Sequence, residues 1–153
     1  MAETGKEDIK RFSVGVVWEG DGKGCGEVAA GAEPVKIPIA GSKELDGCGI
    51  GTNPEELLLA AIGACFVNTW AIFLKKLSIG YAEPSIRVTG ELGKDPAGGF
   101  KMLSSKIYAR VPASLLAERR ADVQKTLSLA EKYCIISKVA RGTMSLEVAV
   151  EEV

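Results

Sequence analysis

From Leu57 to Leu74 the chain runs for 18 residues without a charged side chain. Pro54, Glu55 and Glu56 precede this run and Lys75 and Lys76 follow it, so the spacing predicts a helix over 54–77. At about 1.5 Å of rise per residue the uncharged part extends about 27 Å, near the hydrocarbon thickness of a bilayer. A membrane span is not expected. The run contains Gly63, Asn68 and Thr69 and has no second span beside it, and 25% of the chain is charged. A helix apolar on all sides in a water-soluble protein must be buried on nearly all sides. A chain of 153 residues has difficulty surrounding such a helix by itself, so a second copy is expected to cover part of it. Homodimerisation is therefore an expectation from burial alone.

The rest of the chain supplies the layers around that helix. Residues 12–18 alternate as a strand, residues 20–26 carry four glycines and read as a tight turn, and 35–39 read as a short strand. Pro38 consigns that last strand to a sheet edge. Residues 41–51 form a glycine-rich loop. Residues 85–92 and 101–111 alternate, and the turn-forming Asp95, Pro96, Ala97, Gly98 and Gly99 between them predict a hairpin. Over 113–132, Leu116, Val123, Leu127 and Ala130 fall on one stripe, the pattern of an amphipathic helix. Residues 143–150 alternate as a final strand. The order is that of an α+β fold, with antiparallel sheets around a long buried central helix. A single domain over 1–153 is expected, with 1–10 as a flexible N-terminus. That terminus mixes charges of both signs and has no apolar stretch, so a signal peptide is not expected and a reducing cytoplasm is the default location.

Composition narrows the chemistry. The chain has four Cys and no His, which excludes a Ser-His-Asp triad and any imidazole base or ligand. Its 19 basic and 20 acidic side chains leave a net charge of −1, with no surplus to neutralise phosphates, so nucleic acid is not an expected partner. Cys25, Cys48, Cys65 and Cys134 show no paired metal-ligand spacing, so no metal is expected. Cys25 and Cys48 lie in glycine-rich surroundings and read as surface thiols. Cys65 and Cys134, taken alone, read more readily as small apolar core residues than as functional ones. At the start of the long helix, Asn53 is the expected N-cap and Pro54 the first helical residue. Glu56 is placed to bond back to the N–H of the cap. Glu55, not used by that arrangement, is the better candidate for a functional carboxylate.

The stretch Gly51-Thr52-Asn53-Pro54-Glu55-Glu56-Leu57-Leu58, followed by Ala64-Cys65-Phe66 and later by Cys134 with Ser137, resembles the OsmC/Ohr family of osmotically induced and organic hydroperoxide resistance proteins. Trp18-Glu19-Gly20-Asp21 resembles its OsmC branch, and the likeness spans about residues 12–150. The resemblance implies an intertwined homodimer that reduces hydroperoxides, organic ones in preference to hydrogen peroxide, without metal, flavin or haem. It implies Cys65 as the peroxidatic thiol, Cys134 as the resolving thiol and Glu55 as the active-site carboxylate. The Arg that the family carries after its first strand falls here on Lys23. That is a departure, because a guanidinium fork can hold a thiolate and a carboxylate together whereas an ammonium is a single point charge. The family's Pro after the second Cys is replaced by Ile135.

The expected reaction is attack of the Cys65 thiolate on a peroxide oxygen to give a sulfenic acid. Condensation with Cys134 gives a disulfide, which a dithiol reductant reopens. The thiolate needs its proton affinity lowered, and the expected agent is a cation, Lys23 or an Arg. Glu55 would orient that cation. Ten residues separate Glu55 from Cys65, about 15 Å along a helix and on a different face. If both serve one site, Glu55 comes from the other subunit. Two further readings stand beside the enzyme: a non-catalytic dimer that binds an apolar ligand, and a dimer whose thiols sense oxidant without turnover.

Overall fold

The computed structural model describes residues 9–153, so most of the terminus expected to be flexible lies outside the described residues. The chain forms two compact units, Met1–Glu56 and Leu57–Val153.

The first unit is an antiparallel sheet of three strands in the order β1 (Gly15–Glu19), β2 (Cys25–Ala30) and β3 (Val35–Ala40). Asp21 closes the first turn. Its carbonyl accepts from the Trp18 indole N–H and the Gly24 N–H, both at 2.9 Å, and its carboxylate accepts from the Lys23 N–H at 2.8 Å. Gly20, at φ 92°, supplies the left-handed step this turn needs. The glycine-rich stretch was expected to be turn throughout, but Gly26 belongs to β2. A side chain there would strike the Val17 carbonyl and the Trp18 ring, so the glycine serves strand packing. Pro38 sits on the edge strand β3, opposite Glu27, as its missing N–H demands. After a short 3-10 turn (Lys43–Leu45), Thr52 exchanges hydrogen bonds with Pro38 and Ala40 at 3.0 and 2.9 Å, which fixes where the next helix begins.

That helix, α1, runs from Pro54 to Lys76. The side chain of Asn53 accepts from the Glu56 N–H at 2.8 Å, so Asn53 is the N-cap. The reciprocal bond differs from expectation: the Glu56 carboxylate accepts from the Thr52 hydroxyl at 2.7 Å instead of from the cap N–H.

The second unit holds most of α1 against a sheet of β4 (Ser85–Lys94), β5 (Phe100–Val111) and β6 (Ser145–Glu152), in that order. β4 and β5 form the expected hairpin, turning at Asp95–Gly99 with Gly98 and Gly99 at positive φ. β6 pairs with β5 in parallel, so the sheets are not antiparallel throughout. A helical crossover makes this possible: α2 (Ala113–Tyr133) and α3 (Ile135–Arg141) carry the chain back to the starting end of the sheet. The expected stripe of α2, Leu116, Val123, Leu127 and Ala130, is buried against Ile107, Ala109 and Val111 of β5 and against α1. Gly63 lets α1 approach β4 closely, because a side chain there would meet Val88 and Ile86 at 3.0 and 3.2 Å. The helix α1 buries Ile62, Gly63, Phe66, Trp70 and Leu74, one stripe and not its whole circumference. Leu58 and Ile72 stay 37% and 46% exposed. The complete burial expected of so apolar a helix is not reached within one chain.

Candidate active site

Cys65 lies in the middle of α1, half-buried, one helical turn before Thr69. The Thr69 hydroxyl donates to the Cys65 carbonyl at 2.8 Å. At the following residue, the indole N–H of Trp70 donates to the Thr126 hydroxyl at 2.9 Å, and that hydroxyl donates to the Val123 carbonyl at 2.7 Å. Trp70 and Thr126 are both fully buried. This polar link sets the register of α1 against α2, and α2 ends at the second thiol.

Cys134 is the residue at which α2 stops and α3 starts. Its N–H still bonds back to the Ala130 carbonyl at 2.8 Å, but its backbone turns extended at φ −65° and ψ 117°. Its side chain then caps α3, Sγ accepting from the Ser137 N–H at 3.4 Å. The first N–H groups of a helix have no partner inside it. Here those of Ile135 and Ile136 lie near Cys65 and favour its charged form.

The two thiols are neighbours whose proton affinities are displaced in opposite directions. Burial alone would push the Cys65 thiol up. The N–H of Ile136, the Cys134 thiol and the N–H of Ile135, in that order, favour the charged form and outweigh burial, with a smaller contribution from Thr69, so the Cys65 thiol is lowered from its ordinary value. Burial likewise raises Cys134, and the negative Cys65 beside it raises it further. Contacts with Ser137 offset only part of that rise, so Cys134 stays a thiol. A pair displaced this way presents one nucleophile and one protonated partner. The lowering at Cys65 comes from hydrogen bonds. Among the described residues of one chain, no cation is among the groups that shift this thiol.

The remaining candidates belong to the first unit. Lys23 is exposed in the turn between β1 and β2. Glu55 is half-buried in the first turn of α1, and its Oε2 is buried with no hydrogen-bond partner among the described residues. The regular course of α1 keeps Glu55 and Cys65 about 15 Å apart along the axis. Cys25 and Cys48 are exposed and free, as expected, with the Cys48 thiol donating to the Gly24 carbonyl at 3.7 Å.

The family model described as "OsmC-like protein" matches residues 46–149, which include Glu55, Cys65 and Cys134. The chain belongs to the OsmC-like family. Among relatives of this OsmC-like chain, "Organic hydroperoxide resistance protein-like 1" of Staphylococcus epidermidis is 31% identical over 128 residues, covering 84% of this chain and 88% of that protein. The fold matches the crystal structure of an organic hydroperoxide resistance protein from Elizabethkingia anophelis, with TM-score 0.74, 23% identity, and 94% and 99% of the two chains covered. It also matches an organic hydroperoxide resistance protein OsmC from Legionella pneumophila, with TM-score 0.72, 24% identity, and 94% and 99% covered. The α+β architecture expected from the order of elements is thus the observed one.

α3, and with it the N–H groups of Ile135 and Ile136, is not among the elements expected from the sequence, and Thr69 is not among the expected site residues. A signal for α3 existed. Lys138 and Arg141 followed at once by Gly142 form a helix-stop pattern.

Proposed function

We propose that this OsmC-like protein is a thiol peroxidase that reduces organic hydroperoxides, and hydrogen peroxide less well, as a homodimer. The observation that carries this reading is the neighbouring pair Cys65 and Cys134, one thiol lowered and the other raised. The Cys65 thiolate attacks a peroxide oxygen and the O–O bond breaks, leaving Cys65 as sulfenic acid and releasing an alkoxide that takes a proton to become the alcohol. Cys134 then attacks the Cys65 sulfur, the S–OH bond breaks, and water leaves with the Cys134 proton. A dithiol reductant reopens the disulfide by two exchanges and is itself oxidised to a disulfide.

Dimerisation is supported by what each unit leaves uncovered. Val16, Val17 and Val35 of the small sheet are 58%, 64% and 64% exposed, and α1 keeps Ile72 at 46%. Apolar patches of that kind mark association surfaces. The same association accounts for the apolar helix without a membrane, since one stripe of α1 already packs into the core of its own chain. We assign Glu55 and Lys23 to the active site of the partner subunit. There Lys23 supplies positive charge for the departing alkoxide and Glu55 orients it. The unpartnered buried oxygen of Glu55 suits a carboxylate that awaits a cation. Four free thiols suit a reducing compartment, the cytoplasm.

Lys23, standing where the family has Arg, favours a second reading: a non-catalytic dimer that binds an apolar ligand or reports oxidant. Incubation with cumene hydroperoxide and a dithiol separates the two. The peroxidase reading expects repeated peroxide loss that Cys65→Ser abolishes. Peroxide left untouched by the unaltered protein, or equal loss in the variant, contradicts it.

A further inference from the structure

Ser137 is fully buried in the first turn of α3, and its Oγ is hydrogen-bonded to nothing among the described residues. A serine inside a helix ordinarily spends its hydroxyl on the carbonyl one turn back, which this one does not do. Packing alone would be served better by alanine, because a buried hydroxyl without a partner is destabilising. The residue's own N–H donates to Sγ of Cys134 at 3.4 Å, and its side chain borders the same sulfur.

We propose that Ser137 is a catalytic residue whose hydroxyl donates to the Cys134 thiolate each time that thiolate forms. This rests on the peroxidase reading of the Cys65–Cys134 pair. Two steps require a thiolate at Cys134. In the first, Cys134 gives up its proton as its sulfur bonds to the Cys65 sulfenic acid and water leaves. In the second, a thiolate of the dithiol reductant attacks the disulfide. Cys65 is half-buried and Cys134 wholly buried, so attack falls on Cys65. The S–S bond breaks with its electron pair on Cys134, and Cys65 joins the reductant in a mixed disulfide. The reductant's second thiol then displaces Cys65 and closes its own disulfide.

Exchange is faster when the departing sulfur belongs to the more acidic thiol, yet here access forces the less acidic one to leave. A buried hydroxyl with no competing acceptor, placed against that sulfur, offsets the mismatch. The thiol form needs no such donor, which accounts for the idle hydroxyl seen in the resting protein.

The test uses Ser137→Ala and Ser137→Thr in the whole chain. In a Cys65→Ser background, the alkylation rate of Cys134 against pH reads its ionisation without any turnover. Ser137→Ala is expected to move that profile up by about one pH unit, and Ser137→Thr to hold it near the original. In the chain with Cys65 intact, oxidation by one equivalent of cumene hydroperoxide is expected to keep its rate within about twofold. Disulfide formation and its reduction by dithiothreitol are each expected to slow about tenfold or more in Ser137→Ala. An unmoved Cys134 profile overturns the proposal. So does slowing of the first peroxide step by the same factor, which is the mark of a structural role. If the unaltered protein consumes no peroxide, the peroxidase reading fails on its own, and the Cys134 profile still decides what Ser137 does.

Discussion

Cys65 and Cys134 carry the same side chain, and only their surroundings separate them. Cys65 faces donors, whereas Cys134 is wholly buried and faces the negative charge that Cys65 develops. Because thiolate fraction rises with pH, a lowered thiol shifts its reactivity profile toward lower pH. Alkylation of Cys65 is therefore expected to reach half its maximal rate at a lower pH than that of an unstructured cysteine peptide. Cys134→Ala removes one of the donors and is expected to return part of that shift, which the same titration checks. An unmoved profile would mean that the backbone N–H groups of Ile135 and Ile136 suffice. The cysteines were singled out in the sequence by the family resemblance, since taken alone they read as core residues. The donors were not, because a backbone N–H leaves no trace in residue identity and becomes a site only where the chain bends. Nor is the neighbourhood of Glu55 legible: its unpartnered oxygen is a property of packing.

At the scale of elements, periodicity made the hairpin, α1 and α2 readable, since each is long enough for its apolar face to repeat. β2 and α3 escaped for opposite reasons. Glycines in β2 imitate a turn while serving close packing, and α3 is too short, at seven residues, for its stripe to declare itself. The connection of α3 to α2 nonetheless decides the chemistry, because the break between α2 and α3 is what puts Cys134 and the N–H groups of Ile135 and Ile136 beside α1. The buried Trp70–Thr126 hydrogen bond holds those helices in register. Trp70→Phe keeps most of the packing and removes the donor. It is expected to cost about 1–3 kcal/mol in denaturant unfolding, in the range of a lost buried hydrogen bond. At the other end of α1, Asn53→Ala removes the cap that accepts from Glu56 and is expected to cost about 1 kcal/mol. A loss well under half of that would show that the Thr52–Glu56 contact carries the helix start alone.

For the whole molecule, the uncharged run in α1 is now explained in part by its own chain, which covers one stripe through β4, β5 and α2. The remaining apolar surface is assigned to a second copy, so light scattering should return twice the chain mass of 16.1 kDa. A monomer at micromolar concentration would remove both the cover for α1 and the proposed contribution of Glu55 and Lys23. The family relation covers fold and core alike, and it leaves the peroxidase mechanism resting on two sulfurs. The most direct measurement is the mass map of the protein after one equivalent of cumene hydroperoxide. The expected products are a Cys65–Cys134 disulfide in the unaltered chain and a trapped sulfenic acid at Cys65 in Cys134→Ser. A disulfide that excludes Cys134, or thiols that remain unoxidised, would contradict the account.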